Sequence, residues 1–344
     1  MLLNSGAPQN SNRGHNKNQT SVFQIQTILL QDSARLADEL TLIPSSARIE
    51  VQCLLQHVLN ISRAWLLAHP EHCLNQPDQT RYDELLQRRL VGEPIAYILG
   101  EREFFGLNFK VTPATLIPRP ETELLVELAL QHSPSDGTTR YSTRPLNDND
   151  QVAGYPDRQA RRGCEFRVLD LGTGSGAIAL TIAHSRPDAC VLACDASSAA
   201  LEVARDNAQQ LGIVNAAFVQ SDWYKALGAQ RFDLIVSNPP YVAVGDPHLQ
   251  QGDLRFEPAS ALASGADGLQ DIRRIVAEAA AHLQPGGWLL LEHGYDQAAQ
   301  VRELLEQAGF SAIFSACDLA GIERVSGGRV ALAENLPFMD NPRP

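Results

Sequence analysis

The sequence contains no apolar stretch of the ~18–20 residues that a membrane-spanning helix requires, although 44% of its 344 residues are hydrophobic. It also contains no CxxC pair and no HExxH motif, and its six cysteines are scattered along the chain. These absences argue against a membrane protein and against a structural or catalytic metal site. We therefore expect a globular cytoplasmic protein with reduced thiols and no metal, in which Cys190 and Cys194 of a predicted strand are core residues.

The sequence also contains fewer basic than acidic residues. Lys and Arg number 28 against 40 Asp and Glu, which gives a formal net charge of −12. A protein that grips nucleic acid through many phosphates normally has a basic face. We expect no stable binding to nucleic acid, whereas a protein partner with basic segments would suit this charge.

The N-terminal part of the chain divides into two regions. Residues 1–20 are polar and Asn-rich, without the apolar core of a signal peptide, and predict a disordered lead-in. Residues 21–100 carry apolar positions at helical spacing and predict a small helical domain. It is a candidate substrate-docking domain, and whether it docks a partner or only packs is left open. Ser45, Ser46 and Ser62 are candidate helix caps in this region.

Three more segments complete the domain organisation. Residues 101–118 include REFFGLNFKV, in which two short strands flank Gly106, and predict a hairpin linker. Residues 119–336 form the main domain, interrupted by a polar, Pro- and Gly-rich segment at 132–165 that predicts a flexible insertion. Residues 337–344 form a tail with no recognisable signal.

From Arg167 onward, apolar strands alternate with helical segments. The strands are RVLDLG, VLACD, AAFVQS, FDLIVSN and GWLLLEHG, and AIFSAC and RVALAE follow as an antiparallel edge. Such alternation is typical of a doubly wound α/β fold. We predict a Rossmann-like domain with a mostly parallel seven-stranded sheet.

The first functional motif is the turn after the first of these strands, VLDLGTGSG. Its Gly172, Thr173, Gly174, Ser175 and Gly176 have the spacing GxGxG. Glycines allow a tight turn and the close approach of a ligand. Dinucleotide sites use GxGxxG instead, so this spacing favours S-adenosylmethionine, with Asp170 near the ammonium group of the ligand.

Two acidic positions follow the next two strands. Asp195 ends VLACD, where a carboxylate can accept both hydroxyls of a ribose; capping of the following helix is the alternative. After the third strand, Asp222 can accept an adenine amino group while Trp223 covers a face of the ring. A core aromatic is the alternative for Trp223. All these positions lie at the carboxyl ends of strands, where open α/β sheets bind ligands.

The fourth strand ends in Asn238-Pro239-Pro240-Tyr241. An amide oxygen at Asn238 and a carbonyl at Pro239 can each accept one N–H of a planar NH2 group, and Tyr241 can cover its flat face. The prolines make the loop stiff, which lowers the ordering cost at the time of reaction. The motif predicts a clamp for an amide or for an adenine, and the residue chemistry alone does not separate these acceptors.

Longer stretches resemble one known family. WLLAHPE, GEPIAYILGEREFFGL, LIPRPETELLVE, LDLGTGSG, SNPPYV and EHGYDQ are similar to the HemK/PrmC family, the release factor glutamine N5-methyltransferases. The resemblance runs from about residue 43 to 330, interrupted at 132–165. It implies a class I methyltransferase domain behind a helical domain and a hairpin, with cytoplasmic class 1 peptide release factors as substrates.

The resemblance also assigns roles to residues. It implies that the side-chain amide of the glutamine in the GGQ loop is methylated, that S-adenosylhomocysteine is the product, and that Gly172 to Gly176, Asp195, Trp223 and Asn238 hold the cofactor. It also implies that Asn238, Pro239, Pro240 and Tyr241 bind the acceptor group of the substrate. Arg119 and Glu123 either order a ligand or cap the helix ETELLVELAL. Adenine-N6 methylation of DNA or RNA is the alternative function, and the preferred release factor and the oligomeric state are left open.

The predicted lead-in yields a first test. Deleting residues 1–20 should leave methyl transfer unchanged, because no motif falls in this segment. Rates of the full and shortened chains on the same substrate check this expectation, and loss of most of the activity in the shortened chain would contradict it.

Overall fold

A computed structural model describes residues 24–133 and 166–332 of the chain. The predicted lead-in, nearly all of the predicted insertion and the predicted tail lie outside these residues. The chain divides into two compact units, residues 1–91 and 92–344. The sequence predicted that the helical domain ends at residue 100, nine residues after the end of the first unit. Residues 95–99 group with the second unit because Ala96 and Tyr97 share an apolar cluster with Val111 and Ile117.

The described part of the first unit is helical. Its helices are α1 (Ile25–Leu40), α2 (Pro44–Leu59), α3 (Arg63–Ala68) and α4 (Gln76–Leu90). Its core contains fully buried Leu54, Leu55 and Tyr82. The hydroxyl of Tyr82 donates to Asp32 over 2.8 Å, so this buried phenol has its hydrogen-bond partner.

One of the predicted helix caps is confirmed and two are wrong. The hydroxyl of Ser62 accepts the N–H of Trp65 at the start of α3, which satisfies one of the free donors of a helix N-terminus. Helix α2 starts earlier than Ser45 and Ser46, at Pro44. Proline is favoured in a first turn because its φ is already helical and its missing N–H would have had no partner there.

The second unit begins with a short helix and the predicted hairpin. Its helices are α5 (Ile95–Leu99), α6 (Glu123–Gln131), α7 (Ala177–Ser185), α8 (Ser198–Leu211), α9 (Gln270–Ala279) and α10 (Ala298–Gln307). The hairpin strands are β1 (Glu101–Phe104) and β2 (Leu107–Lys110). They pair antiparallel through a turn in which Phe105 and Gly106 both have positive φ.

The remaining strands form one sheet of seven, in the order β5-β4-β3-β6-β7-β9-β8. They are β3 (Phe166–Leu171), β4 (Ala189–Asp195), β5 (Ala216–Gln220), β6 (Phe232–Ser237), β7 (Leu283–Glu292), β8 (Ser311–Cys317) and β9 (Glu323–Arg329). The first five are parallel, whereas β9 is antiparallel to β7 and β8. The predicted mostly parallel, Rossmann-like sheet is confirmed.

Side chains of the central strands alternate between two apolar layers. Val168 and Leu234 face a layer that includes residues of α6 and α7, and Leu169 and Ile235 face a layer that includes residues of α9 and α10. Successive residues of a strand point to opposite faces, so a sheet covered on both faces requires continuous apolar runs. This burial fixes the strands, and their carboxyl ends meet at one edge.

The predicted position of the last strand is wrong. The sequence suggested RVALAE, but the strand is Glu323–Arg329, which contains Ser326-Gly327-Gly328. Glycine is depleted in strands, so a segment with two adjacent glycines was not recognised as a strand from the sequence. A Cβ at Gly327 would lie 2.6 Å from a methyl carbon of Leu290 and 2.8 Å from the ring of Phe314. The large neighbours on β7 and β8 therefore require a residue without a side chain.

The two strand cysteines differ from each other. Cys194 is a buried free thiol, as expected. Cys190 is half-buried and disulfide-bonded, so the expectation of a reduced thiol is wrong for this residue. Among the described helices, none has both the length and the apolar character needed to cross a membrane.

Candidate functional site

A cavity of about 480 Å³ lies in the second unit. Residues close to the carboxyl ends of β3, β4, β5 and β6 line it, at the edge where open α/β sheets bind ligands. It brings together most of the predicted site residues: Gly172, Thr173, Gly174, Ser175, Asp195, Trp223, Asn238 and Pro240. Gly176, Pro239 and Tyr241 are not among the lining residues.

The glycine loop folds back over the end of β4. The N–H groups of Gly172 and Thr173 both donate to the carbonyl of Cys194 over 2.9 Å. Gly176 precedes helix α7 with a φ of +83°, and a Cβ there would lie 3.0 Å from Leu180 Cδ1. Close packing therefore requires glycine at Gly176.

Asp170 anchors this loop from below. The side chain is fully buried, and its Oδ2 accepts the hydroxyl of Thr173 over 2.6 Å. Burial raises the pKa of Asp170 to about 7, although the hydrogen bond from Thr173 lowers it. Asp170 does not line the cavity, so its position suits a loop anchor better than the ammonium contact expected from the sequence.

Asp195 lines the cavity at the end of β4. Its Oδ2 accepts the N–H of Gly174 over 2.9 Å and its Oδ1 accepts the N–H of Ser197 over 2.8 Å. The cap of α8 is Ser197, whose hydroxyl accepts the N–H of Ala200. Burial raises the pKa of Asp195, against these backbone hydrogen bonds. The carboxylate is thus held rigidly and retains lone pairs for further donors.

The indole of Trp223 lies beside the glycine loop. A Cβ at Gly172 would lie 3.4 Å from Trp223 Cζ3, so the ring covers this glycine closely. The ring N–H donates to Asp271 Oδ1 over 3.2 Å, and Asp271 Oδ2 accepts the hydroxyl of Ser264. Trp223 also packs against the apolar layer of α9 and α10. Both interpretations from the sequence, a cavity aromatic and a core aromatic, describe its position.

Asp222 lines the cavity as well, but its carboxylate is already engaged. Arg274 pairs with it over 2.9 Å and Lys225 over 2.6 Å. The hydrogen bond from Lys225 is the main cause that lowers the pKa of Asp222. Arg274 and Asp271 are lining residues that sequence reasoning missed. They lie on α9, and their helical spacing gives no sign of a site.

The loop Asn238 to Tyr241 is held on several sides. The amide nitrogen Nδ2 of Asn238 donates to the hydroxyl of Thr122 over 3.2 Å. The hydroxyl of Tyr241 donates to Glu292 over 3.4 Å, and its carbonyl accepts the amide of Gln297 over 3.0 Å. Burial raises the pKa of Tyr241 well above its usual range. The sequence did not reveal Thr122, Glu292 or Gln297 as partners of this loop.

Close packing also fixes the backbone of this loop. A Cβ at Gly268 would lie 2.2 Å from the carbonyl oxygen of Tyr241. Val242 forms an isolated parallel bridge with Ala263. Pro239 is buried, whereas Pro240 is half-buried and lines the cavity. The predicted role of Tyr241 as a cover for the acceptor stays a prediction.

The two charged residues of the PRPETE stretch have different partners. Arg119 lines the cavity and forms an ion pair with buried Glu257, whose other oxygen accepts the N–H of Ile117. Glu123 accepts the N–H of Phe105 in the hairpin turn over 2.9 Å and does not line the cavity. Arg119 is therefore the one of the pair whose position suits ligand contact.

A buried asparagine that the sequence did not single out connects three segments. Asn207 of α8 is fully buried; its Nδ2 donates to the carbonyls of Ser175 and Lys110, and its Oδ1 accepts the N–H of Lys110. It joins the glycine loop to strand β2. Nothing in the repeat pattern of α8 distinguishes this position from a core residue.

Replacing Asn207 with Ala should lower the free energy of unfolding by about 2–4 kcal/mol, because buried backbone groups of Lys110 and Ser175 lose their partners. Urea unfolding measures the change. Gln210→Ala, an exposed change on the same helix, is the matched control and should stay within about 0.5 kcal/mol. Equal effects of the two changes would contradict the role of Asn207.

Asp170 predicts a pH dependence of stability. Its pKa in the folded protein lies near 7, above the ordinary value of 3.8, so its proton stabilises the fold at low pH and this contribution is lost as pH rises towards 7. Asp170→Asn does not titrate. Relative to the unchanged chain, the variant should gain at least about 1 kcal/mol of unfolding free energy between pH 5 and pH 8. A difference that does not vary with pH would contradict the buried ionisation.

Comparisons with known proteins agree with this architecture. Residues 33–100 match the PrmC N-terminal domain and residues 159–260 match the methyltransferase small domain. A release factor glutamine methyltransferase of Xylella fastidiosa is 49% identical over 82% of this chain and 93% of its own length. One from Burkholderia pseudomallei is 51% identical, over 82% and 92%.

Solved structures include a related enzyme. A release factor-specific protein-(glutamine-N5) methyltransferase of Alicyclobacillus acidocaldarius is 28% identical, covering 65% of this chain and 99% of its own, with a TM-score of 0.35. The identity and coverage of the sequence relatives are sufficient to assign the family. The chain is a methyltransferase and belongs to the release factor glutamine methyltransferase family.

Proposed function

We propose that this protein transfers a methyl group from S-adenosylmethionine to the side-chain amide nitrogen of the glutamine in the GGQ loop of class 1 peptide release factors. The sequence relatives are release factor glutamine methyltransferases, which supports a release factor as the substrate. The net charge of −12 is a further reason to prefer a protein over a nucleic acid. We propose that the reaction takes place in the cytoplasm, because release factors act on ribosomes there.

The orientation of one amide carries the proposal. Asn238 lines the cavity, and its Nδ2 is engaged by the hydroxyl of Thr122. Its Oδ1, which makes no hydrogen bond with any described residue, remains as an acceptor. A planar NH2 group needs such acceptors, because its two N–H groups would otherwise lose their partners on leaving water.

The residues of the cavity fit S-adenosylmethionine. A volume of about 480 Å³ lies within the range of small-molecule sites. We propose that the backbone of Gly172 to Gly176 lies against the ligand, that Asp195 accepts its ribose hydroxyls, and that Trp223 stacks on its ring. When bound, this cofactor supplies an electrophilic methyl group.

The loop residues then orient the acceptor. In our proposal, Asn238 Oδ1 and the carbonyl of Pro239 each accept one N–H of the glutamine amide, and Pro240 and Tyr241 contact its flat face. Two acceptors at fixed positions restrain the nitrogen and favour the geometry in which its lone pair is available. No strong base is needed, because the amide proton becomes acidic only as the new N–C bond forms, and it then leaves to a carbonyl oxygen or to water.

Labelled methyl transfer tests the proposal. The substrates are a purified class 1 release factor, the same factor with its GGQ glutamine changed to alanine, and mixed DNA and RNA. We expect label on the first substrate alone. Label on nucleic acid alone would overturn the proposal in favour of adenine-N6 methylation, and label on none of them would remove both functions.

Asn238→Ala should lower turnover at least ~100-fold, on the scale of a lost polar group that acts in the transition state. Its affinity for S-adenosylhomocysteine should change less than about threefold, because the remaining ligand contacts persist. Single-turnover kinetics and calorimetry measure the two quantities.

Asn108→Ala is the matched control for this variant. It removes an asparagine side chain from the exposed hairpin, where its amide meets Glu101. Its turnover should stay within about twofold of the unchanged chain. Turnover of Asn238→Ala equal to that of the control would remove the acceptor role of Asn238.

A further inference from the structure

A buried glutamine joins the acceptor loop to the segment that follows strand β7. Gln297 directly precedes helix α10 and is 7% exposed. Its Nε2 donates to the backbone carbonyl of Tyr241 over 3.0 Å and, at 3.5 Å, to that of Asp267. Its Oε1 accepts the N–H of Gly294 over 2.8 Å. Both ends of the side-chain amide are therefore engaged, and they connect the residues after β6 with those after β7.

The backbone of the acceptor loop offers few groups by which the rest of the protein can hold it. Pro239 and Pro240 have no N–H. Among the described residues, no hydrogen bond is made to their carbonyls, whereas the carbonyl of Tyr241 accepts from Gln297. The carbonyl of Pro239 therefore remains available to a substrate, and the carbonyl of Tyr241 is the point at which Gln297 holds the loop.

The partners of Gln297 also determine which way its amide points. The N–H of Gly294 can only donate and the carbonyl of Tyr241 can only accept, so a reversed amide would place like groups against each other. Gly294 is itself held, because its carbonyl accepts Nδ1 of fully buried His293 over 2.9 Å. The other ring nitrogen of His293 meets the hydroxyl of Ser326 on β9 over 2.8 Å. The glutamine thus reaches the loop from a fixed part of the sheet.

The backbone of Gly268 packs directly against this hydrogen bond. A Cβ at Gly268 would lie 2.2 Å from the carbonyl oxygen of Tyr241 and 2.7 Å from Nε2 of Gln297. Any side chain there would push the donor or the acceptor away. Close packing on this side therefore leaves the Tyr241 carbonyl little room to move while Gln297 is bound to it.

We propose that Gln297 is a positioning residue for methyl transfer, which holds the acceptor loop through the carbonyl of Tyr241. Pro239 lies two residues earlier, and the ring of Pro240 fixes the φ angle between them. A shift of the Tyr241 carbonyl would therefore also displace the carbonyl of Pro239 relative to Asn238 Oδ1. A misplacement of ~1 Å is sufficient to lower a rate ~100-fold. This inference rests on the proposed function.

The test uses two variants of Gln297 and a matched control. Gln297→Met removes both hydrogen bonds at nearly constant length. The control is Gln79→Met on α4, because Gln79 is 4% exposed and its Nε2 donates to Asp83 over 2.7 Å. It removes a buried amide from the other unit. The measurements are the single-turnover rate and KM with a class 1 release factor, the affinity for S-adenosylhomocysteine, and thermal unfolding.

We expect Gln297→Met to lower the single-turnover rate at least ~10-fold, because the two proposed acceptors lose their spacing. Gln297 does not line the cavity, so KM for the release factor and the affinity for S-adenosylhomocysteine should each change less than about threefold. Gln79→Met should lower the unfolding temperature and leave the rate within about twofold, measured below the unfolding temperature of every variant. Equal rate losses in the two variants, or a loss confined to KM, would overturn the inference.

Gln297→Glu separates the two hydrogen bonds. It keeps an oxygen for the N–H of Gly294, but at pH 9 its ionised carboxylate has no proton for the carbonyl of Tyr241. If the bond to Tyr241 positions the loop, the rate of this variant at pH 9 should be no higher than that of Gln297→Met. A rate close to that of the unchanged protein would overturn the inference. Failure of the unchanged protein to methylate the release factor is a different result, which would remove the proposed function and this inference with it.

Discussion

The carbonyl of Cys194 accepts the N–H groups of both Gly172 and Thr173, and the geometry of the site depends on this double hydrogen bond. It turns the chain sharply after β3 and places the glycine loop across the end of β4. Asp195, the next residue after Cys194, then accepts the N–H of Gly174. Strand β4, which carries Asp195, thus also holds the glycine loop in place. The loop backbone is ordered before any ligand arrives, which lowers the cost of binding.

On the acceptor side of the cavity, hydrogen bonds between side chains hold the loop in place, as backbone hydrogen bonds hold the glycine loop. Asn238 and Glu292 lie at the ends of neighbouring parallel strands. Thr122, in the turn before α6, accepts Asn238 Nδ2, and Glu292 accepts the hydroxyl of Tyr241. Two prolines and the packing of Gly268 against Tyr241 restrict the loop between them. Because Nδ2 of Asn238 donates to Thr122, Oδ1 of the same amide is left without a hydrogen-bond partner among the described residues. In our account, the free oxygen of Asn238 is the group that selects the substrate.

Local signals were sufficient to predict the five parallel strands of the sheet, the glycine loop and the position of the acceptor loop. Continuous apolar runs indicate strands that are buried on both faces of a sheet, and the spacing of glycines indicates a tight turn. The partners Thr122, Asn207 and Glu292 were missed because each contact joins residues far apart in the chain and leaves no periodic pattern. Strand β9 was misplaced for a related reason: Gly327 is required by Leu290 and Phe314, which come from other strands. Tertiary packing outweighed strand propensity there.

A crystal structure of the protein with S-adenosylhomocysteine and a peptide containing the GGQ sequence would test the central claim most directly. The account predicts that the nitrogen of the glutamine amide lies within about 3.2 Å of both Asn238 Oδ1 and the carbonyl of Pro239. It also predicts that Asn238 Nδ2 still donates to Thr122. A glutamine whose carbonyl oxygen meets Asn238 Nδ2, or one that lies away from Asn238 altogether, would contradict it.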